Sequence, residues 1–252
     1  MGNESESLPF FEKSKETGNV NACFFLGKIY HANEEFDKSI ENFNVYKNME
    51  GQKEFDDSEA DRMIQSVETA KIMTKNPIEA MVYNLGENVN SQYDDYGPLI
   101  KSDESLMAFT SRREGSTGGK KDPSGNYLED IYLVKKLEDN WTDLKSIGPP
   151  LNSETHDAAV GLSANGESMI IYRTNKALSA GDLYISHLEN GTWTEPKKLN
   201  EAINTEYQEA SASMTNDERT IYFSSNRPGG MGGKDIYRVV RITEDIWSLP
   251  LN

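Results

Sequence analysis

Apolar positions along the chain follow two different periods. Between residues 20 and 45 they recur at helical spacing, broken at Ala32-Asn33-Glu34-Glu35. The first run puts Ala22, Phe25, Leu26, Ile29 and Tyr30 on one face; the second puts Phe36, Ile40 and Phe43 on another, with small Ser39 between them. Two amphipathic helices joined by a tight turn predict an antiparallel hairpin. Leu8 to Thr17 reads as a further helix before it, and Ser58 to Met73 as a solvating helix that closes the stack. After Pro77 the pattern changes to short runs rich in Ile, Val, Tyr and Thr, separated by Asn-Gly, Gly-Gly or Asn-Asp turns. The change predicts a boundary, with a helical region over 1–76 and an all-β region over 77–252.

The β region repeats. Asp-x-Tyr occurs as Asp130-Ile131-Tyr132, Asp182-Leu183-Tyr184 and Asp235-Ile236-Tyr237, and a tryptophan follows each, at Trp141, Trp193 and Trp247. An asparagine opens each unit (Asn90, Asn152, Asn204), and five residues later stands an acid: Asp95, Asp157 or Glu209. A turn then leads into an apolar run ending in Phe109, Tyr172 or Phe223. Units of ~40–50 residues, each with four short antiparallel strands, are the signature of β-propeller blades. The predicted blades span about 84–151, 152–203 and 204–252. In the third, strands are expected at Glu209–Met214, Thr220–Ser225, Asp235–Arg241 and Ile246–Leu249. The extra length of the first lies in Arg113–Asn126, a Gly-, Ser-, Lys- and Pro-containing stretch that reads as a surface loop.

Two resemblances follow from these residues. Leu26-Gly27-x-x-Tyr30 followed by Phe36, Ser39 and Phe43 resembles the tetratricopeptide repeat, in which a glycine and a small residue let two helices approach. The phrases Phe223-Ser-Ser-Asn-Arg-Pro-Gly-Gly-Met-Gly-Gly-Lys-Asp-Ile-Tyr237 and Trp193-Thr-Glu-Pro-Lys-Lys-Leu-Asn-Glu-Ala-Ile-Asn-Thr205 resemble TolB-type, WD-repeat-like propeller repeats, as do Asn84–Ser91 and Phe109–Arg113. Helices of the first kind before blades of the second resemble periplasmic OmpA-family proteins of Bacteroidota, some associated with type nine secretion. The resemblance implies a periplasmic, outer-membrane-associated scaffold that binds components of an envelope complex. It also implies further blades and an OmpA-like domain. A fourth unit is due where the sequence reaches Asn252, and the family's peptidoglycan-binding residues have no counterpart here, so peptidoglycan binding would need domains this chain lacks.

Charge and composition narrow the function. With 26 Lys+Arg against 42 Asp+Glu the net charge is −16, spread as −6 before Pro77 and −10 after it. That argues against nucleic acid as a partner, since phosphates need a basic face. A single cysteine excludes an internal disulfide and a thiolate zinc site; Cys23 reads as a small buried hydrophobe. No apolar run approaches the ~20 residues of a membrane span. His31, His156 and His187 are scattered, with no metal-ligand spacing and no Gly-x-Ser-x-Gly elbow, so no catalytic residue, metal ligand or cofactor site is assigned.

Asp130, Asp182 and Asp235 recur with the fold period and are expected to accept hydrogen bonds within their own blades. Tyr132, Tyr184, Tyr237, Trp141, Trp193 and Trp247 are expected to fill the space between blades. Arg227–Lys234 is either a hairpin loop or an anion-holding nest. The sequence does not say which surface binds partners. Three blades carry no physical reason to close a ring, and a homodimer through the open propeller face is one way to cover it. The leading expectation is a non-catalytic interaction scaffold, using the helical groove or the propeller surface. The helical region serves equally well as a spacer or cap. The alternatives are a carbohydrate- or peptidoglycan-recognition module and a glycan-processing propeller enzyme.

Overall fold

The computed structural model describes residues 4–243 and 246–252. It divides into two compact units, Met1–Val82 and Tyr83–Asn252. The first contains four helices, α1 (Glu4–Glu16), α2 (Val20–Ala32), α3 (Phe36–Asn48) and α4 (Asp57–Met73), each packed against the next. Side-chain caps fix two of the starts. Asn19 accepts from the Asn21 amide at 3.0 Å ahead of α2, and Asp56 accepts from the Glu59 amide at 2.9 Å ahead of α4.

Helix α2 lies between α1 and α3, so it buries more than one stripe: Cys23 and Phe24 are as inaccessible as Leu26 and Ile29. The single-face reading of the sequence centred on Phe25, which is only half-buried and stacks on Phe11. Phe24 is the ring that organises this core, packing on Phe43, Tyr46 and Phe55. Gly27 is required by close approach. A β-carbon there would sit 2.7 Å from the Phe43 ring, and the Ser39 hydroxyl donates to the Gly27 carbonyl at 2.6 Å. Cys23 is fully buried, and burial pushes its thiol up.

The second unit holds three antiparallel sheets. The first has the order β1 (Asp95–Ile100), β2 (Leu106–Ser111), β3 (Asp130–Leu137), β4 (Asn140–Ser146). The second runs β5 (Asp157–Leu162), β6 (Ser168–Thr174), β7 (Gly181–Glu189), with β8 (Thr192–Trp193) and β9 (Lys197–Lys198) both paired to β7. The third runs β10 (Ala212–Met214), β11 (Thr220–Ser225), β12 (Asp235–Val240). Among the described residues its fourth position is held by the bridges Arg241↔Trp247 and Arg238↔Leu251, where the sequence predicts a strand over Ile246–Leu249. Glu209, expected to open a strand, precedes β10 because its carboxylate is engaged by the turn at Thr205.

The first strands of neighbouring sheets lie side by side, β1 with β5 and β5 with β10, as the inner strands of propeller blades do. The chain is therefore an α plus all-β protein, a helical stack and a partial, three-bladed β-propeller, with no closed ring among the described residues. Facing blades bury a common core. At the first junction Ala108, Ile131 and Leu151 meet Ala159, Met169 and Ile171; at the second Ile170, Leu183 and Ile203 meet Ala212, Ile221 and Phe223.

The ladders correct one sequence alignment. Phe109 pairs with Tyr132 and Phe223 with Tyr237, but the partner of Tyr184 is Ile171, not Tyr172. Tyr172 is one residue on and faces the other side of its blade, because side chains alternate along a strand.

Candidate functional site

Each blade entry carries the same clip. In the first, the Ser91 amide and hydroxyl donate to Asp95 Oδ2 (2.6 and 2.8 Å), and Arg113 Nη2 reaches Asp95 Oδ1 at 2.6 Å and the Val89 carbonyl at 2.8 Å. In the second, Ser153 and Arg173 hold Asp157, and Arg173 also bonds the Pro150 and Leu151 carbonyls. In the third, Thr205 and Arg227 hold Glu209, and Arg227 bonds the Ala202 and Ile203 carbonyls. Each guanidinium thus ties the acid to the backbone just before the unit's opening asparagine.

Arg113 lies over the rings of Phe109 and Tyr132, and Arg227 over Phe223 and Tyr237. Arg173 reaches its acid from a different place. It pairs across the ladder with Asp182, the register position held by Ser111 and Ser225 in the other blades. The missing serine shows in the electrostatics. Burial works against Asp95, but hydrogen bonds from Ser111, Arg113 and Ser91 hold its carboxyl below the usual range. For Asp157 burial wins over Ser153 and Arg173, and its carboxyl is pushed up.

The opening asparagines latch one blade to the next. Asn152 accepts the Ile131 amide at 2.8 Å and donates to the Ile131 carbonyl at 3.0 Å. Asn204 does the same to Leu183, both at 2.8 Å, and also bonds the Leu199 carbonyl. Ile131 and Leu183 are the central residues of the preceding Asp-x-Tyr triplets, so the two repeated motifs form one device. A side-chain carboxamide stands where a strand residue would.

The repeated aspartates serve their own blades in three ways. Asp130 is buried and accepts from the Thr117 amide and hydroxyl, both at 2.8 Å, while its Oδ1 has no partner. Burial outweighs those bonds and pushes its carboxyl up to about 6. Asp182 pairs with Lys198 at 2.8 Å. Asp235 accepts from the Gly232 amide at 3.0 Å, and a β-carbon on Gly230 would lie 2.2 Å from its Oδ2. A donor of the Arg227–Lys234 loop is thereby turned inward onto Asp235, which makes that stretch a hairpin loop.

Tyr132 and Tyr237 are buried and Tyr184 is half-buried at the first junction. Trp193 joins the same junction, and Trp247 the second. Trp141 lies half-buried in a separate cluster with Met107, Phe109 and Val134.

Sequence reasoning missed the arginines and one further cluster. Glu129 Oε1 accepts from Tyr96 and from Arg112, whose Nη1 also reaches Asp122 at 2.9 Å, and His156 Nδ1 lies 2.7 Å from Glu129 Oε2. Burial alone would raise Glu129, but the His156 and Tyr96 hydrogen bonds bring its carboxyl down to about 2. Tyr96 is driven up by burial and by Glu129. The cluster borders a cavity of about 440 Å³ along the inner strands, walled by Tyr96, Leu99, Ala159, Tyr172 and Ser211. In the helical unit, Glu12, Lys15, Leu26, Tyr30 and Asn42 line a hollow of about 530 Å³, with Lys15 bonded to Asn42 and Tyr30 to Glu12. No group of His, Cys, Asp or Glu among the described residues is arranged to hold a metal ion.

The carboxylates of these clusters are engaged by neighbouring donors, which suits fixing blades in place. Among the described residues, one apolar face left in solvent is the outward face of the third blade. By ladder register Tyr222 corresponds to Ala108 and Ile170, and Ile236 to Ile131 and Leu183. Those four counterparts are 0% exposed, whereas Tyr222 is 44% and Ile236 71% exposed.

No family model matches the chain, and no curated protein matches it. Solved structures do. A protein described as a TolB from Agrobacterium tumefaciens is 21% identical, over 56% of this chain and 40% of that one, with a TM-score of 0.39. TolB from Acinetobacter baumannii is 15% identical over 64% and 33%, with a TM-score of 0.41. A puromycin-hydrolyzing peptidase from Mycobacterium tuberculosis is 11% identical over 59% and 20%, with a TM-score of 0.35. The chain thus matches two-fifths or less of the length of each of these structures. At these scores the likeness transfers neither activity nor partner.

Proposed function

We propose that the chain is a non-catalytic protein-interaction scaffold of a bacterial cell-envelope complex, working in the periplasm. The observation that carries the interaction reading is the third blade's outward face, where positions fully buried at both internal junctions stand in solvent as Tyr222 and Ile236. Contiguous apolar surface of this kind marks a binding site. The helical hollow around Lys15, Tyr30 and Asn42 is a second surface of the scaffold, in keeping with the tetratricopeptide-like pairing of Gly27 against Phe43. The envelope setting rests on the sequence resemblance alone, including its Bacteroidota, OmpA-family and outer-membrane context.

The test is in-cell photocrosslinking from the periplasm, with a crosslinking amino acid in place of Tyr222, of Glu16 beside the helical hollow, or of exposed Ser124 as a control. A discrete adduct with an envelope protein from Tyr222 or Glu16, and none from Ser124, is the expected result. Retention of the purified chain on peptidoglycan sacculi with no protein adduct would replace this reading with carbohydrate recognition. Turnover on a glycoside panel would replace it with catalysis.

A further inference from the structure

The extra length of the first blade, the loop Arg113–Asn126, supplies Lys120 and Lys121 to a cavity of about 720 Å³ shared with the second blade. The second blade contributes its entry, Ser153–Thr155, and the turn between β6 and β7, with Lys176 and Leu178. The loop is seated firmly on that entry. Lys120 Nζ reaches Glu154 Oε2 at 2.7 Å, and a β-carbon on Gly118 would lie 3.2 Å from Glu154 Cγ. The turn is fixed from within: Asn175 Oδ1 accepts the Ala177 and Ser179 amides, and the Asn175 amide donates to the Ala180 carbonyl at 2.7 Å. Those bonds hold Leu178 at φ 56°, a left-handed conformation uncommon for a branched apolar residue. Backbone strain of this kind gathers at ligand clamps. Leu178 is half-buried and lines the cavity together with fully buried Leu128.

The charge of this cavity runs against that of the chain. The whole sequence carries −16, yet the lining holds the cations Lys120, Lys121, Arg173 and Lys176 with Glu154 as the acid. Lys120 is matched by Glu154, and Arg173 Nε by Asp157. Among the described residues Lys121 and Lys176 have no acid at ion-pair distance; the Lys121 ammonium sits 4.3 Å from the centre of the Tyr127 ring. The Lys120 hydrogen bond holds the Glu154 carboxyl below its usual range and the Lys176 charge adds to the effect, so lysines of both blades act at one place. Arg173 is the clip arginine that departs from the register of Arg113 and Arg227. Its Nε and Nη2 are spent on Asp157 and the Pro150 and Leu151 carbonyls, while Nη1 has no hydrogen bond to a described residue. The Thr174 hydroxyl accepts the His156 amide at 3.1 Å and donates to no described residue. The cavity thus offers unspent donors beside an apolar wall.

We propose that this cavity binds an organic phosphate, with Lys121, Lys176 and Arg173 Nη1 on the phosphoryl oxygens and the body of the ester against Leu128 and Leu178. Two unmatched ammonium groups fit a phosphate monoester, whose charge is about −1.5 to −2 at pH 7. A carboxylate would leave one of them without a counter-charge. Lysine serves phosphate as a point charge, with no demand for paired geometry. The volume falls within the ~300–1,000 Å³ of small-molecule sites. The site goes beyond the scaffold reading and needs neither the outward face of the third blade nor the helical hollow.

The experiment is titration calorimetry on the full chain in phosphate-free buffer near neutral pH, with phenyl phosphate, inorganic phosphate, phenylacetate and phenol as probes. The variants are Lys121→Glu and Lys176→Glu, with Lys234→Glu as an exposed control outside the cavity. All three positions are exposed, and unchanged circular dichroism confirms that the variants fold. Phenyl phosphate is expected to bind more tightly than inorganic phosphate, and phenol not at all. Each cavity substitution should weaken phenyl phosphate by about tenfold or more, the scale of turning an attractive charge contact into a repulsive one. Lys234→Glu should change it by less than about twofold, the screened effect of a distant surface charge. A wild type that takes neither phosphate at millimolar concentration overturns the proposal, and so does a loss that Lys234→Glu reproduces. Phenylacetate binding as tightly as phenyl phosphate also overturns it, in favour of a carboxylate.

Discussion

Asn152 and Asn204 each replace a length of backbone pairing with one side chain, and the cost of losing them follows from what they leave behind. In Asn204→Ala the Leu183 amide and the Leu199 carbonyl lose a partner in a buried setting, while the Leu183 carbonyl keeps the Leu199 amide. At about 1–3 kcal/mol for a buried group left unsatisfied, the expected loss is about 2–4 kcal/mol. Asn90→Ala should cost less than about 0.5 kcal/mol, because Asn90 is exposed. Urea unfolding measures both, and equal losses would sink the latch. Titration supplies a second prediction at this scale. Asp130 is raised to about 6 in the folded chain, so the unfolded chain releases that proton first and stability is lost as pH rises from about 4 to 6. Glu129 works the other way: held at about 2, its contribution is present above about 4.5 and lost as pH falls toward 2. Asp130→Asn should therefore flatten the decline between pH 4 and 6 and leave the acid limb in place, as followed by thermal melts across pH. The asparagines and aspartates were legible because they recur at a fixed period. The clip arginines were half-legible: Arg113 and Arg227 each stand four residues after a phenylalanine, Phe109 and Phe223, but Arg173 comes from a different register and breaks the pattern. Glu129 and His156 were invisible, since their partnership is made between blades.

At the scale of elements, helix pairing in the first unit turns on a single missing β-carbon. Gly27→Ala places a methyl 2.7 Å from the Phe43 ring, which lies at the centre of a core with no accessible surface. Overpacking of this kind costs about 1–3 kcal/mol, offset only slightly by the helix propensity gained over glycine. The helical melt should fall accordingly, and Phe43→Leu in the same chain should recover part of the loss by opening room at the contact. If Gly27→Ala is neutral by circular dichroism, the close approach is not what sets the helix spacing. Helix existence was readable from apolar spacing, while the buried sides of α2 were not. One stripe is what an amphipathic surface helix shows, and α2 is covered from two directions, so Phe24 escapes a single-stripe count. Strands were readable in order but not in number, since the second sheet holds five and the third three instead of four each. Nor was their register: Tyr172 looked equivalent to Phe109 and Phe223 because it is aromatic, and a shift of one residue sends it to the other face of the blade.

For the whole molecule, burial of one repeated position reports where the blade array is closed and where it is open. Ile131, Leu183 and Ile236 occupy the same place in three copies of one motif, yet their exposures are 0%, 0% and 71%. The sequence shows three equivalent residues; only the stacking order makes them different. Truncating Ile131 to alanine removes methylenes from the packed junction that includes Leu151, Met169 and Ile171, and core truncations of this kind cost about 2–5 kcal/mol. Leu183→Ala should cost the same at the second junction, among Leu199, Ile221 and Phe223. Ile236→Ala should change the stability of the chain by less than about 0.5 kcal/mol, as surface substitutions do. Unfolding midpoints of the three variants measure the contrast. A near-zero effect at Ile236 is the expected result for a side chain 71% exposed. A large effect at Ile236 instead places the residue in a core that the single chain already closes.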